Sequence, residues 1–308
     1  MGHLNTLDLV IFISALVGIL LFGMWVGRKE DNSQDFFLAG KSVGSNEGLF
    51  AFAGPCVLET KEAALATARR IAEIGEKHDV RMIFKASFDK ANRTSAGAFR
   101  GPGQSEGLAI LAAIREETGL PVVTDVHLPE QCEEVGKVVD VIQIPAFLCR
   151  QTDLLIAAAE TGRAISIKKG QFLAPWDMEH PVSKVRAAGN PDVMVCERGA
   201  SFGYGRLVVD MSGFEDMASF GAPVIFDATH SVQRPGEGGK TGGDRYLAPS
   251  LARAAVATGR VDGLFFEVHP EPSKSPSDAA NIIALDHFDE VLGGVAAIWR
   301  AVRSNAPA

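Results

Sequence analysis

A chain of 308 residues has room for one α/β barrel or for two ordinary domains. Its formal net charge of −8 excludes a general nucleic-acid binder, so any basic stretch is a local feature. Four cysteines with no CxxC pairing exclude a secreted disulfide scaffold and suit reduced thiols in the cytoplasm.

Residues 9–26 are almost continuously apolar, broken only by Ser14, Gly18 and Gly23, and Arg28 and Lys29 follow. That length predicts one N-terminal apolar helix able to span a bilayer, with the basic flank setting the rest of the chain on the cytoplasmic side. Asp8 in place of a positive n-region argues against a cleaved signal peptide. The stretch LDLVIFISALVGILLFGMWVGRKEDNSQDFFLAGKSVG resembles the first span and following loop of sodium/solute symporters, and nothing later reads as a second span. The expected organisation is a segment 1–44, either a tether to the inner membrane through residues 9–26 or the product of a misjudged gene start. A catalytic domain would occupy 45–308.

From there, short apolar or β-branched runs alternate with longer stretches of helical periodicity. The runs 49–53, 81–84, 121–124, 141–144, 164–167, 193–196, 223–226 and 263–266 predict strands. Helices are predicted over 61–77, with Ala64, Ala68, Ile71 and Ile74 on one face, and over 106–118, 153–161, 246–258 and 288–302. Eight strands alternating with helices predict an α/β fold of the (β/α)8 TIM-barrel class rather than an open sheet. At or just past the strand ends stand Cys56, Lys85, Asp125, Gln143, Lys168, Arg198, His230 and Glu267. A barrel turns all eight carboxyl ends to one mouth, where active sites of this fold lie.

Two sets of side chains follow. Lys85, Lys90, Arg93 and Arg100 are interleaved with Ser87, Asn92, Thr94 and Ser95 and followed by Gly-Pro-Gly, a pattern suited to a phosphorylated anion. Lys168, Arg198 and Arg150 would join them around a small anion bearing phosphate and carboxylate. Strand alternation turns only one of Lys168 and Lys169 inward, and the flanking pattern favours Lys168. The second set is Cys56, His230, Glu267 and Asp278, which suits a divalent Zn, Fe(II) or Mn ion better than Mg or Ca. Read more plainly, Cys56 is a buried thiol and His230 a hydrogen-bonded core residue or a direct phosphate contact. His269 is a rival ligand, but His230 brings one from strand seven while Glu267 serves strand eight. The segment GEGGKTGG is not a Walker loop, because Arg234 stands where that motif needs glycine. A mobile loop over the mouth is the better reading.

AGPCVLE, FKASFDKANRTS, RGPG, TDVH, DVIQIPAFLCRQTDLL, KKGQFLAPWD, ERGASFGY, VVDM, FDATHSVQ and EVHPEP together resemble the 3-deoxy-D-manno-octulosonate 8-phosphate synthase (2-dehydro-3-deoxyphosphooctonate aldolase) family. The resemblance runs from about residue 45 onward. It implies a homotetrameric barrel that condenses phosphoenolpyruvate with arabinose 5-phosphate, releasing phosphate, on the way to the Kdo sugar of lipopolysaccharide. It further implies that Lys85, Ser87, Lys90, Gln143, Lys168, Arg198 and His230 surround phosphoenolpyruvate. Asn92, Arg93 and Thr94 would hold the aldose phosphate, with Phe147 also in the pocket and Arg150 reaching in from a neighbouring subunit. Thr94 keeps the hydroxyl where the family has serine. Cysteine at position 56 marks the metal-dependent form. Lys90 is expected to protonate the nascent alkoxide, Asp125 to orient the metal-side network, and His230 to serve both halves. The small hairpin that precedes strand one in the family is not evident here. The rival readings are the shikimate-pathway relative that uses erythrose 4-phosphate and a membrane-tethered, catalytically silent module. Asn92, in Lys-Ala-Asn-Arg-Thr rather than Lys-Pro-Arg-Thr, favours the longer aldose.

Overall fold

Eight parallel strands order this computed structural model: β1 (Phe50–Gly54), β2 (Arg81–Lys85), β3 (Val122–Asp125), β4 (Val141–Ile144), β5 (Ala164–Lys168), β6 (Val193–Glu197), β7 (Val224–Asp227) and β8 (Gly263–His269). Each pairs with the next, and β8 pairs with both β7 (Ile225 opposite Gly263) and β1 (Gly263 opposite Phe50), so the sheet closes on itself. Between and after them run α1 (Lys61–His78), α2 (Gln104–Thr118), α3 (Pro129–Gly136), α4 (Thr152–Glu160), α5 (Glu179–Ala187), α6 (Gly213–Ala218), α7 (Ala248–Ala257) and α8 (Leu285–Ser304). This is the (β/α)8 barrel that the alternation predicts. The structure describes residues 36–38, 41–43, 48–93, 95, 97–235 and 242–304.

Every predicted strand is present. Three helices that periodicity did not single out, α3, α5 and α6, have only 8, 9 and 6 residues, too few turns for a repeat to declare itself. One expectation is corrected. Phe36–Leu38 and Lys41–Val43 pair as an antiparallel hairpin ahead of β1, with Phe36 opposite Val43, where the sequence showed none. Strands of three residues are too short for alternation to be read. The apolar stretch 9–26 lies outside the described residues, among which no helix is long and apolar enough to cross a membrane.

Side-chain alternation divides the core in two. Phe50, Phe52, Ile83, Val123, Val141, Ile225 and Phe265 fill the barrel interior, while the intervening Ala51, Phe84, Ile142, Ile144 and Phe226 pack beneath the helices. Burial on both faces is why these strands read as unbroken apolar runs. The helices follow local rules. Thr60 caps α1 by accepting from the Ala63 N–H at 3.2 Å, and Asp79 closes it in the left-handed region at φ 54°. Within the barrel, Phe50, Phe52 and Phe265 form an aromatic stack with centroids 5.8 and 6.4 Å apart. Gly263 makes room for it, since a Cβ there would stand 2.3 Å from the Phe50 ring. Buried apolar side chains line the interior up to Phe265, which leaves the strand ends above it for chemistry.

Candidate active site

The same alternation sets Lys85, Asp125, Gln143, Lys168, Asp227 and Glu267 at the carboxyl ends of β2, β3, β4, β5, β7 and β8, each two residues beyond an interior position. All are buried. Phe265 is their floor: Lys168 Nζ lies 3.4 Å and Lys85 Nζ 5.4 Å from its ring centroid, and the His230 ring 5.7 Å. An aromatic face under two ammonium groups offsets part of their lost hydration.

One half of the cluster has the donors of a metal centre. Cys56 follows β1, and Gly54 lets the two strands close up there, since a Cβ at position 54 would stand 2.0 Å from the Lys85 carbonyl oxygen. Cys56 Sγ lies 3.4 Å from Asp278 Oδ2, and donor atoms of Cys56, Glu267 and Asp278 all fall within 4.8 Å of one another. Asp278 sits in the left-handed region at φ 50°, unusual for a non-glycine, and is held by Ser277 Oγ at 3.0 Å and Gln233 Nε2 at 2.9 Å. His230 Nε2 is 3.6 Å from Glu267 Oε1 but is not part of that mutual trio. The rival His269 turns to Glu59 at 3.0 Å.

Burial, and then Glu267, push the Cys56 thiol far up. Burial works the same way on Asp278, but His230 and Lys90 outweigh it and hold that carboxyl down at about 2. Glu267 Oε2 is buried with no hydrogen-bond partner among the described residues. A thiol and two carboxylates crowded out of water, with an oxygen to spare, fit a divalent transition metal.

The other half is cationic. Lys168 Nζ lies 2.5 Å from Asp227 Oδ2 and 3.4 Å from His230 Nδ1. Arg198 donates to the side-chain oxygens of Gln171 and Gln233 and, at 3.4 Å, to the His230 carbonyl, while its Nε is buried without a partner among the described residues. Lys85 reaches Ser87 Oγ at 3.2 Å and Glu267 Oε1 at 3.4 Å, and Lys90 stands 3.9 Å from the same oxygen. Burial lowers both Lys85 and Arg198 from their ordinary values. Burial would lower Lys90 too, but Cys56 and Glu267 carry it upward overall. Ser87 donates to Asp125, whose other oxygen meets His127 Nε2 at 3.1 Å. Burial opposes ionisation of Asp125, yet His127 and Lys85 keep it well below the ordinary carboxylate range. The Gln143 side-chain oxygen, like Arg198 Nε, is buried and unpartnered among the described residues. Lys169 faces away from the mouth, to the Leu173 carbonyl at 3.1 Å and Glu197 at 3.5 Å.

The rim differs from the interior. Arg93 donates to Phe99 O, Ser277 Oγ and Pro276 O at 2.9, 2.6 and 3.1 Å, which ties it to the loop that carries Asp278. Asn92, Phe147 and Arg150 are exposed, outside the buried cluster. Thr94 and most of the glycine-rich segment, 236–241, lie outside the described residues, although Gly242–Gly243 pairs with Gln233–Arg234. Three residues were not anticipated: Asp227, His127 and Gln233. Asp227 was findable, because it stands two positions past Ile225 on an inward-facing register. Gln233, which joins Arg198 to Asp278, was not, since it sits in a short irregular turn.

A closed parallel barrel with buried lysines, an arginine and a thiol–carboxylate cluster at its carboxyl end defines the class: a TIM-barrel enzyme for small anions. The chain belongs to the DAHP synthetase I family, whose sequence profile matches residues 29–298. It is 57% identical over 251 residues, 81% of this chain and 92% of the relative, to a 2-dehydro-3-deoxyphosphooctonate aldolase of Nitratidesulfovibrio vulgaris. Relatives of the same name from Caulobacter vibrioides and a Geobacter species are 56% identical over 254 residues and 54% over 261. These alignments cover 82% and 84% of this chain, and 88% and 95% of those relatives.

Proposed function

We propose that the protein condenses phosphoenolpyruvate with D-arabinose 5-phosphate and water, giving 3-deoxy-D-manno-octulosonate 8-phosphate and inorganic phosphate, a step of Kdo and lipopolysaccharide biosynthesis. The observation that carries this reading is the convergence of Lys85, Lys168 and Arg198 on one buried mouth beside Cys56, Glu267 and Asp278. Relatives named for that activity, at 54–57% identity over more than four fifths of the chain, support it.

Lys85, Ser87, Lys90, Gln143, Lys168, Arg198 and His230 would surround phosphoenolpyruvate, the unpartnered Gln143 oxygen and Arg198 Nε being free for it. Asn92, Arg93 and Thr94 would take the aldose phosphate at the rim. Phe147 and Arg150, exposed in the single chain, would complete the pocket, Arg150 that of a neighbouring subunit in a homotetramer. Held so, C3 faces the aldehyde and proximity replaces covalent catalysis. C3 bonds to the aldehyde carbon, water adds at C2, and the hemiketal phosphate loses phosphate by C–O cleavage. Lys90, kept protonated by its anionic neighbours, gives the alkoxide its proton. Asp125 orients the Ser87–His127 network. Cys56, Glu267, Asp278 and His230 would hold a Zn, Fe(II) or Mn ion, whose Lewis acidity would polarise the aldehyde oxygen and a water. The barrel works in the cytoplasm, where Cys56 stays out of disulfides and available as a ligand. Residues 1–44 remain a separate segment in this reading, with 45–308 the catalytic unit.

The test is phosphate release from phosphoenolpyruvate with each of two aldoses. Turnover with arabinose 5-phosphate and little with erythrose 4-phosphate is expected, and the reverse preference overturns the assignment.

A further inference from the structure

Asp227 belongs to none of the groups assigned above, yet it is fully buried and touches both halves of the site. Its Oδ1 accepts the backbone N–H groups of Thr229 at 3.1 Å and His230 at 2.9 Å, which fixes the carboxylate in the turn after β7. Its Oδ2 meets His230 Nδ1 at 2.8 Å and Lys168 Nζ at 2.5 Å. An ionised carboxylate only accepts, and Lys168 only donates. Asp227 Oδ2 at 2.8 Å lies much nearer His230 Nδ1 than Lys168 Nζ does at 3.4 Å, and Lys168 already donates to that oxygen, so Nδ1 carries its proton toward Asp227. In the neutral ring Nε2 is then bare. It faces Glu267 Oε1 at 3.6 Å, two acceptors turned to one another, as a cation between them requires.

We propose that Asp227 is the positioning residue of this site. It holds His230 in the Nδ1–H tautomer, with Nε2 ready to ligate, and anchors Lys168 over Phe265 with the same oxygen. One carboxylate thereby locks the metal side and the phosphate side in a single arrangement. Partners of this kind, behind a ligating imidazole, set its tautomer and its basicity. The inference rests on the metal and phosphoenolpyruvate roles proposed above for His230 and Lys168.

Two measurements test it without relying on turnover. In the full-length protein labelled with 15N-histidine, the His230 ring, assigned by its loss in His230→Gln, should show a protonated Nδ1 both after chelation and with Zn(II) added. A protonated Nε2 in the chelated protein overturns the proposal. Asp227→Asn should weaken Co(II) binding, followed by visible absorption, by about tenfold to a hundredfold. It should also weaken direct binding of phosphoenolpyruvate. Unchanged affinity for both in a folded variant overturns the proposal, and if the variant does not fold the tautomer measurement on the unaltered chain still decides. Failure of the unaltered protein to turn over either aldose would sink the proposed function, while the tautomer would report on Asp227 regardless.

Discussion

Cys56 is a thiol that burial and Glu267 disfavour ionising, yet its sulfur lies among the donor atoms of two carboxylates. A divalent metal ion would stabilise the thiolate in that arrangement, so under the proposed role Cys56→Ser should lose bound metal by elemental analysis and abolish metal-dependent phosphate release. Full activity of that variant in chelator would refute the metal assignment. Asp125 gives a pH signature. It ionises in the folded protein well below the ordinary 3.8, so its stabilisation is complete above that value and is lost as the pH falls toward the folded one. The gap in urea midpoint between the unaltered protein and Asp125→Asn should be constant near neutrality and shrink below 3.8. A gap that widens on acidification contradicts the hydrogen-bond pattern at Ser87 and His127. At this scale the sequence named most of the buried cluster, because charged residues at the ends of apolar strands stand out. Asp227 did not stand out, because it closes the apolar run of strand seven and could as well cap the following turn.

Single elements present these residues. Lys169 and Glu197 lie outside the mouth, next to Lys168 and Arg198, and their buried pair pins the ends of β5 and β6. Lys169→Met leaves Glu197 buried without its cation, and breaking such pairs costs about 3–5 kcal/mol. Chemical denaturation should show a loss of that order, with weaker phosphoenolpyruvate binding because Arg198 is no longer held. Equal stability would mean that the pair is dispensable. The strands were legible because both faces are buried, and α1 because its apolar stripe recurs over 18 residues. The hairpin Phe36–Leu38 and Lys41–Val43 was not, nor was the choice Arg93 makes among Phe99, Pro276 and Ser277. Contacts between loops far apart in sequence leave no periodic trace.

For the whole molecule, exposed aromatic side chains gather in the loops after β5 and β6, with Phe172, Trp176 and Phe202 at 59%, 60% and 78% exposure. Faces of this kind are covered in oligomers. Sedimentation is expected to show four copies of the 32.7 kDa chain, with Phe202→Ser shifting mass to smaller species. A monomer at micromolar concentration would leave the exposed Phe147 and Arg150 without a site to complete. Fold class was readable without coordinates because eight βα units repeat one physical pattern. The expected homotetramer came only from the family resemblance, since no periodicity marks a surface shared between copies.

Barrel closure has one more consequence. Cys56 follows the first barrel strand, whereas Glu267 lies on the last, which is hydrogen-bonded to the first, and Asp278 lies in the loop beyond it. A ribosome has therefore made nearly the whole polypeptide before these three side chains can meet. Under the proposed metal role, capture of the ion would be a post-synthetic event, and a nascent chain halted before β8 would have no site to offer it.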